Sequence, residues 1–482
     1  MPRAARSPSS RERDDQSGTL ARRLGLVAGP MLAGVALIMP PPPELGEAGW
    51  RTAALGVWMA VWWLTEAIPL PATALLPLVI LPVLGVTSIQ EAAPPYANPV
   101  IFLFLGGFIL ATALARCGLH RRFALRVVRL VGRRPRRLVG GFMIATAALS
   151  MWVSNTATAV IMLPLALSVL PEEGRERGLV APALLLGIAY AANVGGVGTL
   201  IGTPPNAFLA GFLSESYGLE IGFVEWMGIG IPLVIVALPL IWWVLVDRLH
   251  RLPKRQELSE LATFETPGPW RRDEWVVGGV AAAVCGSWVL RPLLETRLPG
   301  LSDAGIAMAG ALLLLAIPVR WNPLEFPLRW EDLEELPWGV LILFGGGLSL
   351  AGAIQETGLA AWIGGRLGGL EAMPLAVLVL AVTVLMVLLT ELTSNTATAA
   401  AFLPVVAALA VGVGASPSVL AVPAALAASC AFMLPVATPP NAVVYGSGEI
   451  RIDQMVRAGI WMNLLLVMLV MAMALVLVPR IL

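Results

Sequence analysis

The sequence predicts an all-α polytopic membrane protein of about 11 transmembrane helices, arranged as two inverted repeats that each carry a re-entrant hairpin. Three observations predict it. Of 482 residues, 57% are hydrophobic and only 13% charged, more apolar surface than a soluble domain hides beneath a polar rind. Long apolar runs recur along the chain, among them Leu24–Ile38, Val100–Leu114, Pro232–Val246 and Met462–Val478. The hexapeptide SNTATA occurs twice in apolar surroundings, at Ser154–Ala159 and Ser394–Ala399.

The elements follow in order. Residues 1–23 are polar and rich in Ser and Arg, and read as a disordered cytoplasmic N-terminus. Residues 24–49 read as the first transmembrane helix and its loop. The same run resembles a signal peptide, but the charges order well if it stays as a first crossing. Arg22 and Arg23 precede it, which puts the N-terminus in the cytoplasm. The loop Arg116–Arg137 holds nine arginines and no acid, and Asp247–Gln256 is also basic. Both read as cytoplasmic anchors rather than a nucleic-acid surface. The weakly basic stretches at 41–49, 87–99 and 214–220 then fall outside, as does the C-terminus. Localisation is therefore the cell (inner) membrane, multi-pass, with the lipid bilayer as a partner. The net charge of +1 says nothing about other partners. Cys117, Cys285 and Cys430 form no disulfide or metal pattern, and His120 and His250 fall in basic loops.

The two halves share one plan. Asn155 and Asn395 are 240 positions apart, as are Cys117–Leu119 and Thr357–Leu359; GTPPNA at Gly202–Ala207 and ATPPNA at Ala437–Ala442 are 235 apart. FLGG at Phe104–Gly107 is answered by LFGGG at Leu343–Gly347. Repeat 1 spans 50–250, a cytoplasmic linker 251–274, and repeat 2 spans 275–482. Each contains five crossings: 53–66, 69–84, 100–118, 180–212 and 226–247, then 275–294, 303–319, 338–358, 418–446 and 456–480. An odd number inverts the second copy relative to the first, as in many secondary transporters.

Two segments, about 138–170 and 374–411, stand outside this count. Each has two apolar arms, too short for full crossings, around a polar SNT centre, so each reads as a hairpin with SNT at its tip. The prolines of TPPN, Pro204–Pro205 and Pro439–Pro440, interrupt apolar runs at mid-membrane. Such a break frees carbonyls, which ligate cations, and exposes a helix N-terminus, which attracts anions. Four polar breaks are thus expected to meet near the midplane.

WWLTEAIPLPATALLPLVILP at Trp62–Pro82, the paired SNTAT motifs and the paired TPPN loops resemble the divalent anion/sodium symporter family, over nearly the whole chain from about Arg51. The resemblance implies a homodimeric, elevator-type transporter of dicarboxylates, citrate or sulfate with Na+ as coupling ion. It implies one sodium site from Ser150, Ser154 and Asn155 with backbone around Gly202, and a second from Thr390, Ser394 and Asn395 with backbone around Ala437. It further implies that substrate meets Asn155, Thr156, Thr203 and Pro204 from one repeat and Asn395, Thr396, Thr438 and Pro439 from the other. Ser150 and Thr390 each precede their SNT serine by four positions, so the symmetry reaches beyond the hexapeptide.

The residue chemistry agrees. Sodium takes about five or six oxygens, which hydroxyls, amides and carbonyls supply. Neither motif contains Lys or Arg, so bound cations must balance a dianion. A C4-dicarboxylate such as succinate, malate or fumarate is the first expectation, and sodium-coupled import the mode. Sodium-independent exchange, proton coupling through Glu391, and citrate or sulfate as substrate are the alternatives. Glu391 has Met151 as its repeat-1 counterpart and reads as structural, as does Glu66. Signatures of metalloproteases, nucleophile elbows and P-loops are absent from the sequence, so no enzyme, no organic cofactor and no nucleic-acid partner is expected.

Overall fold

Helix accounts for nearly all of the regular secondary structure among the described residues, because a backbone in hydrocarbon must satisfy its own hydrogen bonds. The computed structural model describes residues 10–132, 134–171, 174–253, 268–366 and 372–482. The chain opens with α1 (Ser10–Ile38) and α2 (Glu47–Thr65), packed side by side, with Arg22 paired to Glu66 at 3.2 Å. Residues 10–23, expected to be disordered, are the first turns of α1. Extending a formed helix is far easier than nucleating one, so the apolar crossing carries its polar leader along. Residues 1–9 lie outside the described residues.

The crossing expected at 69–84 is broken into α3 (Leu70–Thr73) and α4 (Leu76–Val83), separated at Ala74 and Leu75. Pro71 and Pro77 each sit near the start of one of these short helices, where a missing N–H costs nothing. After α5 (Ile89–Ala92), α6 (Pro99–Arg116) crosses as expected, capped by Asn98 Oδ1 accepting from Val100 N. The basic stretch becomes the amphipathic helix α7 (Leu119–Val131), entered through Gly118 at φ 76°. Arg122 of α7 is buried and donates to Glu274 at 2.9 Å. His120, expected in a loop, lies within α7 with Nδ1 2.9 Å from Leu114 O.

The first hairpin is α8 (Pro135–Ser150) and α9 (Asn155–Ser168), matching the expected 138–170 and turning at SNT. Then α10 (Arg175–Gly196) stops, the chain unwinds, and α11 (Pro204–Tyr217) resumes. α12 (Phe223–Trp243) continues into a π-helical stretch, Val244–Leu249. Residues 254–267, most of the expected linker, lie outside the described residues.

Repeat 2 follows the same order: α13 (Arg272–Leu294), α14 (Asp303–Ala316), α15 (Trp338–Glu356) and the short α16 (Leu359–Arg366). A two-stranded ribbon, Arg320–Trp321 against Leu324–Glu325, joins α14 to α15. The second hairpin is α17 (Leu375–Thr390) and α18 (Asn395–Gly412), against an expectation of 374–411. The second broken crossing is α19 (Pro417–Ala428) and α20 (Pro439–Gly446), and the chain ends with α21 (Ile452–Val476) and α22 (Val478–Ile481). Eight of the helical stretches are long and apolar enough to cross a membrane, among the described residues.

The broken crossings and hairpins form the buried centre. α10 packs on α8 and α9 of its own repeat and on α20 of the other, and α19 packs on α17, α18 and α21. Along α10, every residue from Val180 to Gly196 is buried. From Val180 onward the helix is enclosed by protein on all sides.

Candidate functional site

Serine and proline set the local geometry of the four breaks. Ser154 caps α9, its Oγ accepting from Ala157 N at 3.3 Å, as an N-cap serine does. Ser394 holds the same position at α18 in extended backbone. The two prolines of each TPPN do not sit inside the break. They occupy the first two positions of α11 and α20, where proline's fixed φ suits the helix start. The unwinding lies upstream, at 197–203 and 429–438. Thr203 and Thr438 are the N-caps, both extended, at φ −144° and −141°.

The asparagine that ends each TPPN turns inward. Asn206 Nδ2 donates to Thr199 O at 2.8 Å and Gly196 O at 3.2 Å; Asn441 Nδ2 donates to Leu434 O at 3.0 Å and Ala431 O at 3.2 Å. Both are fully buried. They satisfy carbonyls that the breaks release, so only part of the freed oxygen faces the cavity.

At the first hairpin tip, Ser150 Oγ lies 2.6 Å from Asn155 Oδ1 and 2.8 Å from Ala192 O. At the second, Thr390 Oγ1 lies 2.7 Å from Asn395 Oδ1 and 2.7 Å from Ala428 O. In each cluster three oxygens share one hydroxyl hydrogen, which can satisfy only one acceptor fully. The surplus of oxygen lone pairs is what a hard cation fills, and every donor is neutral oxygen, the set sodium prefers over softer metals. Gly196 borders the first cluster: a Cβ there would collide with Asn155 Oδ1 and lie 3.0 Å from Gly202 O, so those two oxygens flank one small space. Among the described residues, no group of three or more His, Cys, Asp or Glu could hold a metal ion.

Both tips and both breaks line one cavity of about 930 Å³. Of the residues expected at the site, Ser154, Asn155, Thr156, Gly202, Thr203 and Pro204 line it from repeat 1. Ser394, Asn395, Thr396, Ala437, Thr438 and Pro439 line it from repeat 2. Ser150 and Thr390 stand behind the tips, fully buried, and reach the cavity only through their asparagines. Arg22 and Glu66, already paired with each other, and Glu335 also line this cavity. Apart from Arg22, which is paired with Glu66, no lysine or arginine lines it among the described residues.

Four groups escaped sequence reasoning. The carbonyls of Ala192 and Ala428 did so because a backbone oxygen has no signature in the residue type. Asn193, which also lines the cavity, donates from Nδ2 to Thr438 Oγ1 at 3.0 Å, across the repeats. Ser429, one residue beyond Ala428 as Asn193 is beyond Ala192, makes the reciprocal contact, 3.4 Å from Thr203 Oγ1.

Glu391 behaves as the structural reading expects. Its carboxylate is buried and accepts from Phe432 N at 2.7 Å, Met433 N at 3.0 Å, Leu434 N at 3.2 Å and Asn463 Nδ2 at 2.7 Å. It pins the unwound stretch after α19 to the second hairpin tip. Met151, its counterpart, offers only a backbone carbonyl, which accepts from Thr199 Oγ1.

Broken helices and paired hairpins enclosing an oxygen-rich cavity within an apolar bundle define a multi-pass membrane transport protein. The chain belongs to the family described as Sodium:sulfate symporter transmembrane region, which it matches over residues 20–479. It is 43% identical over 491 residues to the sodium-dependent dicarboxylate transporter SdcS of Staphylococcus saprophyticus, covering 98% of this chain and 94% of that protein. It is 41% identical over 494 residues to the SdcS of Staphylococcus aureus strain USA300, covering 99% and 94%. In fold it resembles the YdaH transporter of Alcanivorax borkumensis, with a TM-score of 0.60 at 17% identity over 88% of this chain and 97% of that one. MtrF of Neisseria gonorrhoeae is similar at a TM-score of 0.56 and 13% identity, over 96% and 95%.

Proposed function

We propose that this protein is a sodium-coupled symporter that imports a divalent anion, with C4-dicarboxylates such as succinate, malate or fumarate as its substrates. The observation that carries the reading is the pair of matched clusters, Ser150–Asn155–Ala192 and Thr390–Asn395–Ala428, flanking one cavity. The names of the SdcS relatives point the same way. Two sodium ions would offset the two charges of a dicarboxylate in a cavity whose one lining cation among the described residues, Arg22, is already paired with Glu66. Without them the anion would be desolvated unpaired, which is very costly. Asn155 and Asn395 would each touch ion and anion. Thr156 and Thr396, with the N-termini of α11 and α20 at Thr203–Pro204 and Thr438–Pro439, would donate to the carboxylates.

The cavity is open unequally. Leu392 and Val436, in its wall on the repeat-2 side, are 74% and 82% exposed. Their repeat-1 counterparts are covered: Ile201 is 8% exposed, and Trp152 stacks on Phe223 and Trp288 at 6.1 and 6.5 Å. Inverted repeats that exchanged these roles would open the opposite side, which supports an elevator-type alternating-access mechanism. We place the N-terminus in the cytoplasm, the C-terminus outside, and the functional unit as a homodimer. Glu391 spends its oxygens on four donors, which favours the structural role over a proton relay.

The test is uptake of radiolabelled succinate by proteoliposomes. Uptake is expected to require an inward sodium gradient. Equal uptake in choline or potassium buffer overturns the coupling, and sodium-driven uptake of sulfate or citrate in preference to succinate overturns the substrate.

A further inference from the structure

We propose that Asn193 is a positioning residue that turns the Thr438 hydroxyl into an obligate donor facing the anion. The inference rests on the proposed function and adds a residue that neither motif contains. Asn193 lies on α10, in repeat 1, and is 1% exposed. Its Nδ2 is 3.0 Å from Thr438 Oγ1, in repeat 2, and 3.4 Å from Ala431 O. The Ala431 carbonyl favours this orientation of the amide, because a flipped amide would set Oδ1 against that oxygen and lose the bond.

A threonine hydroxyl has two acceptor lone pairs and one hydrogen. Thr438 Oγ1 accepts from Asn193 Nδ2 and also from Asn441 N, at 3.4 Å, as the N-cap of α20. Both lone pairs are then taken by N–H groups. The hydrogen is left to point elsewhere, and Thr438 lines the cavity. A hydroxyl in that state can donate to a carboxylate and cannot ligate a cation.

The other end of the cavity differs. Thr203 makes no side-chain cap bond, and its Oγ1 meets Ser429 Oγ at 3.4 Å, a contact in which either oxygen can donate. Thr203 therefore keeps both polarities, while Thr438 keeps one. The pseudo-symmetric site thus has a committed carboxylate end at Thr438 and an adaptable end at Thr203. The residue that breaks the symmetry is Asn193, where repeat 2 has Ser429.

The test is a double-mutant cycle on succinate uptake in proteoliposomes at saturating sodium. Asn193→Ser places in repeat 1 the side chain that repeat 2 already accommodates; Asn193→Ala, which removes the amide without adding a charge, serves if the serine variant does not yield folded protein. Each is combined with Thr438→Val. Asn193→Ser is expected to raise the apparent KM for succinate about tenfold, the scale of one lost hydrogen bond to a charged group. The sodium half-saturation should stay within about twofold, and the change should vanish in the Thr438→Val background. Full additivity with Thr438→Val, or an unchanged KM, overturns the inference while leaving sodium-driven transport standing. Absence of sodium-driven succinate uptake by the unmodified chain overturns the proposed function, and this inference with it.

Discussion

Ser150 and Thr390 make the same two oxygen contacts in opposite halves of the chain. Each hydroxyl lies within 2.8 Å of the asparagine five positions on and of a carbonyl at the end of a broken helix. Serine and threonine differ by a methyl group, so the preserved feature is the oxygen. Removing it should therefore be felt by the ion first. Ser150→Ala and Thr390→Val are expected to raise the sodium concentration for half-maximal uptake about tenfold each, the scale of one lost ligand contact to a charge. Sodium titrations at saturating succinate measure this, and unchanged curves would remove the hydroxyls from the ion sites.

Asn155 and Asn395 hold their oxygens against those hydroxyls while lining the cavity. On the proposed function, alanine at either position would remove an ion ligand and an anion contact together. Uptake should fall to background while the protein remains monodisperse with a near-normal melting temperature. If Asn395→Ala instead fails to fold, the asparagine is interhelical glue.

Gly196 gives a steric test. A Cβ added there would meet Asn155 Oδ1 and the Gly202 carbonyl, neither of which can move without dismantling the first cluster. Gly196→Ala should abolish sodium-driven uptake. Gly34→Ala is the control, because a Cβ at Gly34 meets nothing within 4 Å. Normal transport by the Gly196 variant would show that the space beside Asn155 is not needed.

Glu391→Gln keeps the shape of the side chain but turns one acceptor into a donor. That donor would face backbone N–H groups at Met433 and Leu434. Met433 N keeps Oε1, but Leu434 N loses its acceptor at a cost of about 1–3 kcal/mol, so the melting temperature should drop by a few degrees. Molecules that fold should still take up succinate in response to sodium. A variant of unaltered stability that loses only uptake driven by a pH gradient would reinstate the proton-coupled reading.

Much of this architecture was legible in the residues. SNT interrupts two apolar arms, and serine and asparagine at a helix start are capping residues whatever surrounds them. The 240-residue spacing exposed the duplication, and both hairpins fall within a few residues of their expected limits. The prolines of TPPN announced a break but not its place. They start the second half-helix, and the unwinding precedes them.

By itself, the sequence determined the membrane class, the helix breaks and which side chains carry oxygen at them, because hydropathy, capping and proline geometry act locally along the chain. Only the tertiary structure decided which oxygens converge. The Ala192 and Ala428 carbonyls are backbone atoms that any residue type would supply, so no letter marks them. The bond from Asn193 to Thr438 joins positions 245 apart and exists only because α10 packs against α20. Glu391 gained its role in the same way: a lone carboxylate in an apolar run is ambiguous until folding brings three backbone N–H groups and Asn463 to it.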